Sequence, residues 1–177
     1  MLLSSGALPA RGRALEVGCG IASDALLLAS AGFETHAVDA DPRQVAAARR
    51  RATTLRLPLD VREASATDLP YAARRFDVVV DRLLWNNLLD DGNLPAYVDE
   101  LARVVKPRGH VVVRAKSTAW WTIRDAFSAA RRTELGGAAA WRRIGARFTL
   151  PRPPVRTMLV DPYGGMVPAV VAVLRRR

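Results

Sequence analysis

Residues 14–20, Ala14-Leu-Glu-Val-Gly-Cys-Gly20, close a short apolar run on two glycines, and Val38-Asp39 follows about 20 residues later. Ala14–Val17 reads as a buried strand, Gly18 and Gly20 as a tight turn, and Ser23 to Ala31 as the helix that follows. Glycine suits such a turn because a Cβ would hold the backbone away from a ligand. An acid at the tip of the next strand, here Asp39, can accept hydrogen bonds from both ribose hydroxyls. Glycine turn, strand–helix context and acid together point to a nucleotide cofactor.

Small departures narrow the choice of nucleotide. A dinucleotide fingerprint, G-x-G-x-x-G, wants glycine at 23, where this chain has Ser23. The alternative pattern, acid-x-Gly-x-Gly, is met by Glu16, Gly18 and Gly20, with Ala22 where a third glycine would stand. An acid at 16 suits a cationic cofactor bearing an amino group and would repel a pyrophosphate. In this pattern the chain resembles the class I S-adenosylmethionine-dependent methyltransferases, whose first motif is Glu/Asp-x-Gly-x-Gly.

The resemblance runs along nearly the whole chain. Ala37-Val-Asp-Ala-Asp-Pro42 is similar to the family's second-strand segment, with Asp39 at the ribose-binding acid. Arg75-Phe-Asp-Val-Val-Val80 matches the approach to strand four, and Val104-Val-Lys-Pro-Arg-Gly109 the turn into strand five. Val80-Asp-Arg-Leu-Leu-Trp85 and Ser5-Gly-Ala-Leu-Pro9 look most like the small-molecule branch related to thiopurine and tellurite-resistance methyltransferases. The resemblance implies S-adenosyl-L-methionine as cofactor, held by Glu16, Gly18, Cys19, Gly20, Asp39, Ala40, Ser65, Ala66 and Asp81. Ser65 and Ala66 stand where the family often carries Asp-Ala, so a hydroxyl would replace the acid that meets the adenine amino group. Asp41 reads instead as a helix N-cap, with Pro42 in the first turn.

The order of elements predicts an α/β fold: a Rossmann-like doubly wound sheet, mostly parallel with a reversed last strand and helices on both faces. Strands are expected at Glu34–Asp39, near Leu59–Glu63, at Phe76–Asp81 and at His110–Lys116, and helices from Pro42 to about Thr53 and from Leu94 up to Pro107. Trp120, Ile123, Phe127 and Ala130 recur at helical spacing. Two last strands are expected at about Arg142–Leu150 and Val167–Arg175. The proline- and glycine-rich stretch between them is too long for a tight hairpin and is read as a cover for the site. Residues 1–177 are read as one methyltransferase domain with a short amino-terminal extension. That extension, about 13 residues, is open to three readings: a minimal domain, a missed upstream start, or a pocket completed by another subunit, as in a homodimer.

Ligands in open sheets bind beyond the carboxyl ends of the strands. The acceptor pocket is therefore sought after strand four, at Asp81, Arg82, Trp85 and Asn86, with Tyr163 from the late stretch closing over it. Trp85 offers a rigid flat face. The catalytic residues themselves are not identified. His36 and His110 read as structural, and no cluster of metal-ligand spacing is present, so no metal is expected.

Hydrophobic residues make up 50% of the 177, enough for one domain with a core, and no apolar run approaches the ~20 residues that span a bilayer. One cysteine excludes an internal disulfide framework. With no secretory pattern at the amino terminus, a cytoplasmic protein without membrane association is the expectation. The net charge of +10 comes almost wholly from scattered arginines, since only Lys106 and Lys116 are lysines. No stacking-aromatic-plus-basic motif accompanies them, so a small-molecule acceptor is preferred to nucleic acid. The alternatives are a nucleic-acid methyltransferase, or a cofactor-binding regulatory or pseudo-enzyme protein without transfer activity.

Overall fold

The valine-rich segments are buried strands lying side by side in one sheet. The computed structural model describes residues 8–90, 92–116, 144–160 and 166–177. Its elements run β1 (Arg13–Val17), α1 (Ser23–Ser30), β2 (Glu34–Asp39), α2 (Pro42–Leu55), β3 (Asp60–Glu63), β4 (Phe76–Arg82), α3 (Leu84–Asp90), α4 (Leu94–Val104), β5 (Val105–Lys116), β6 (Phe148–Thr149), β7 (Val155–Val160) and β8 (Met166–Arg176). The strand order is β3-β2-β1-β4-β5-β8-β6, with β7 also on β8. The first five strands pair in parallel, and β8 runs antiparallel to β5. The expected doubly wound sheet with a reversed last strand is what forms.

Side-chain alternation along the central strands assigns the two faces. Leu15, Val17, Val79, Val111 and Val113 join Leu94, Tyr97, Val98 and Leu101 of α4 in one core. Ala14, Val78, Val80 and Val112 face the other way, against Leu28 of α1. Ala37 and Val61 pack with α1 and with Val45 and Ala48 of α2. Burying one such Val or Leu contributes roughly 1.5–3 kcal/mol. Strands covered on both sides need apolar residues at successive positions, which is why β4 reads Phe-Asp-Val-Val-Val.

Three expectations are corrected. The strand placed over Arg142–Leu150 is confined to Phe148–Thr149, because residues 144–147 are helical; Arg142 and Arg143 lie outside the described residues. The stretch read as a cover contains β7, which pairs along β8 from Val155↔Val171 to Val160↔Met166. Between Thr149 and Val155 stand Pro151, Pro153 and Pro154, which have no N–H to give a ladder. They interrupt what is otherwise one edge of β8. The helix expected to run up to Pro107 ends at Val104, and β5 begins at once. Val105 pairs with Phe76, after which the register jumps to His110 against Val78, looping out Lys106–Gly109. Asn86 and Asn87 lie within α3. The helix expected around Trp120–Ala130 lies outside the described residues. Among the described residues no helix is long and apolar enough to cross a membrane.

Candidate cofactor site

The glycine turn follows β1 directly. Gly18 and Gly20 take φ of 64° and 53°, the left-handed region that glycine enters at little cost. Ala22 takes φ of 58° as the N-cap of α1, although a Cβ disfavours that conformation. This is the third position of the acid-x-Gly-x-Gly-x-Gly pattern, so the missing glycine leaves local strain. A Cβ at Gly18 would meet the Leu84 side chain at 3.0–3.2 Å, whereas at Gly20 its nearest neighbour would be Gln44 Oε1 at 3.8 Å. The start of α3 therefore rests on Gly18, while Gly20 is less crowded.

Asp39 is joined to this turn. Its Oδ2 accepts the Gly20 N–H at 2.7 Å and its Oδ1 accepts the Asp41 N–H at 2.9 Å. The Asp39 carbonyl accepts from Ala64 N at 3.0 Å, which ties in the loop carrying Ser65 and Ala66. In that loop Ser65 Oγ accepts from Thr67 N and pairs with Thr67 Oγ1. Glu100 and Arg103 of α4 anchor its far end, with Glu100 accepting from Leu69 N and Arg103 donating to the Leu69 and Tyr71 carbonyls. Asp41 is the N-cap foreseen, accepting from Arg43 N at 2.9 Å.

Cys19 is buried in the turn, and its N–H donates to the Val38 carbonyl. Burial, with Glu16 and Asp39 nearby, pushes its thiol up to about 12, so it stays protonated and unreactive. Ala40 follows Asp39 and is exposed.

Two acids lie deeper than the sequence suggests. Glu16 is 1% exposed and points under the turn, where Oε2 accepts from Ala25 N at 2.7 Å. Alternation explains it, since Leu15 and Val17 face α4 and Glu16 must face α1. Ala22 has no side-chain acceptor to cap α1, and Glu16 supplies one from the neighbouring strand. Burial, and then the Asp24 charge, push the Glu16 carboxyl up to about 8. Glu16 thus acts on the cofactor turn from beneath rather than beside it.

Asp81 is fully buried, and its Oδ1 accepts from Leu84 N and Trp85 N at 3.0 and 3.2 Å. Burial raises its carboxyl to about 7. It caps the start of α3 and sets the segment that rests on Gly18. Trp85, expected to wall the acceptor pocket, is instead a core residue. It is 1% exposed, with its ring edge-on to Tyr97 at 6.3 Å. Its N–H is held by Asp81 at the end of β4, so the first turn of α3 directs the ring inward against Tyr97 of α4. Arg82 is half-buried on the α1 face and Asn86 is buried. Tyr163 lies outside the described residues.

The sequence reading missed Asp24, Leu84 and Arg114. Asp24 sits in the first turn of α1 and ion-pairs with Arg114 of β5 at 2.9 Å. A charged residue directly after Val111-Val-Val113 was a legible signal, because a buried strand cannot carry a cation without a partner.

Comparison with known proteins agrees with this geometry. Residues 14–109 match the family model described as a methyltransferase domain. The ubiquinone biosynthesis O-methyltransferase of Cereibacter sphaeroides is 34% identical over 109 residues, which is 61% of this chain and 43% of that protein. The chain thus spans less than half the length of that curated relative. A solved structure described for the conversion of a disulfide bond into a thioacetal group during echinomycin biosynthesis shares 26% identity. It has a TM-score of 0.75 and covers 99% of this chain and 79% of its own. The N-methyltransferase NodS of Bradyrhizobium japonicum, solved with S-adenosyl-L-homocysteine, has a TM-score of 0.68 at 20% identity, covering 98% of this chain and 81% of its own. The glycine turn with Asp39 and the 3-2-1-4-5 sheet accompany a family match over more than half of the residues: this chain belongs to the methyltransferase-domain family.

Proposed function

We propose that the protein is an S-adenosylmethionine-dependent methyltransferase acting on a small-molecule acceptor in the cytoplasm. The observation that carries this reading is the junction of Gly20 N–H with Asp39 Oδ2, at a glycine held in the left-handed region. The donor set fits the cofactor. Asp39 keeps lone pairs for ribose hydroxyls beyond the two backbone N–H groups it already accepts. The backbone of Gly18, Cys19, Gly20 and Ala40 would line the nucleoside and amino-acid portions, and Ser65 with Ala66 the adenine. Arg82 and Asn86 are the acceptor-side candidates.

When bound, S-adenosylmethionine supplies a methyl group already activated on a sulfonium for in-line displacement. The chain's own task is then chiefly positioning, with a nucleophile held about 3–3.5 Å from its target. Asp81 contributes indirectly by fixing the N-terminus of α3 against Gly18. An acceptor of low molecular weight is favoured by the relatives' names, which describe ubiquinone biosynthesis and an N-methyltransferase. It is also favoured by the use of arginines as structural partners: Arg49 on the Val61 carbonyl, Arg51 on the Ile21 carbonyl and Arg103 on the Leu69–Tyr71 loop.

Two assays test the reading together: transfer of labelled methyl to a panel of small phenols, amines and thiols, and a salt series of binding to mixed RNA and DNA pools. Turnover of a small acceptor is expected, with weak nucleic-acid binding. Submicromolar affinity for the pools at physiological salt, falling by roughly one log unit per log of salt for each phosphate neutralised, would displace the small-molecule acceptor in favour of nucleic acid.

A further inference from the structure

Arg114 lies on β5, a strand beyond β4 from the glycine turn, yet it is tied to both halves of the site. Its Nη1 lies 2.9 Å from Asp24 Oδ1, with the two side chains 20% and 8% exposed. Glu16 reaches the same space from β1, holding Ala25 N–H one residue past Asp24. Two carboxylates and one guanidinium therefore share the region beneath the glycine turn. Arg82 of β4 is the register partner of Arg114 and by alternation projects from the same face. The Arg114 carbonyl accepts from Leu83 N at 2.7 Å. Leu83 takes a left-handed φ of 69° and delivers Leu84 onto Gly18. One residue thus pins the first turn of α1 through its side chain and the start of α3 through its backbone.

We propose that Arg114 is a positioning residue of the cofactor site, its guanidinium pairing with Asp24 and offsetting Glu16 when that acid ionises, so that the glycine turn keeps its binding shape. Arg114 acts through α1, by way of Asp24. Without it, Asp24 and an ionised Glu16 are two like charges in a buried space that have lost their guanidinium partner. They then separate, draw in water or take up a proton. The first two displace the turn; the third restores it at low pH. Arg82 of β4 is a second arginine that by alternation projects from that face.

The inference rests on the cofactor reading, and the wild-type arm of its test keeps the two apart. S-adenosylhomocysteine is titrated calorimetrically into wild type, R114K, R114M and D24N/R114M at pH 6 and pH 8.5, with a thermal melt of each. R114M is expected to bind about tenfold more weakly or worse at pH 8.5 and to recover to within about threefold at pH 6. D24N/R114M should bind within about threefold of wild type at both pH values, because a single carboxylate no longer needs a counter-charge. R114K should stay near wild type. A folded R114M with wild-type affinity at both pH values overturns the proposal, and so does an affinity loss that is equal at both and unrepaired by D24N. Should R114M not fold, D24N/R114M decides: near-wild-type affinity supports the proposal and a lasting loss overturns it. A wild-type chain that binds no S-adenosylhomocysteine overturns the cofactor reading, and this inference with it.

Discussion

Gly20 gives its N–H to Asp39 Oδ2 at 2.7 Å, so the turn after β1 and the acid at the tip of β2 form one unit. Asp39 shapes the turn, and on the proposed reading it also accepts from a ribose. Asp39→Ala should weaken S-adenosylhomocysteine binding by about 1.5–3 kcal/mol through loss of charge-assisted hydrogen bonds. Asp41→Ala removes the cap on Arg43 N and an exposed pair with the Arg43 guanidinium, and should cost about 1 kcal/mol of stability, leaving affinity intact. Calorimetry and urea unfolding of both variants check the split. The reverse pattern would mean that the two acids have exchanged roles.

Trp85 belongs to the core. Trp85→Ala should destabilise the fold by about 3–5 kcal/mol, the range for emptying a buried aromatic site. Trp85→Phe should recover much of it, because the edge-on contact with Tyr97 survives. Urea unfolding gives the values. A folded, fully stable Trp85→Ala with impaired turnover would return this residue to the acceptor pocket.

Two buried carboxyls make stability depend on pH. Glu16 titrates near 8 and Asp81 near 7 in the folded chain, both raised chiefly by burial. Their ordinary values lie near 4, so between about pH 4.5 and 8 the folded state holds more protons than the unfolded one. Stability should therefore fall as pH rises through that window and level off above it, by on the order of 3–5 kcal/mol for each group. Glu16→Gln keeps an acceptor for Ala25 N–H and abolishes one titration. Its stability should depend on pH less steeply and exceed that of wild type at pH 8.5. Thermal melts from pH 5 to 9 would show it, and parallel curves for the two proteins would contradict the burial of an ionisable Glu16.

Much of this was legible in the chain itself. β4 announces itself by its valine run and β1 by a short apolar run closing on a glycine turn, and the Gly18–Gly20 turn with Asp39 needs no tertiary information. Glu16 was identified as important, but its direction was misjudged, although alternation between Leu15 and Val17 already turned it toward α1. α3 was hidden because the cap that starts it comes from Asp81, inside a strand. β7 was hidden behind three prolines that break the edge without ending it. The Arg114–Asp24 pair joins residues 90 apart, and only the sheet order brings them together. Local chemistry was readable, and partners across the sheet were not.

The most direct test of the whole reading is a calorimetric titration of the wild-type chain with S-adenosylmethionine, S-adenosylhomocysteine and NAD. Either sulfur cofactor should bind at one site per chain in the micromolar range, on the order of −8 kcal/mol, and NAD should neither bind nor compete. Binding of NAD with no response to either sulfur compound would contradict the assignment.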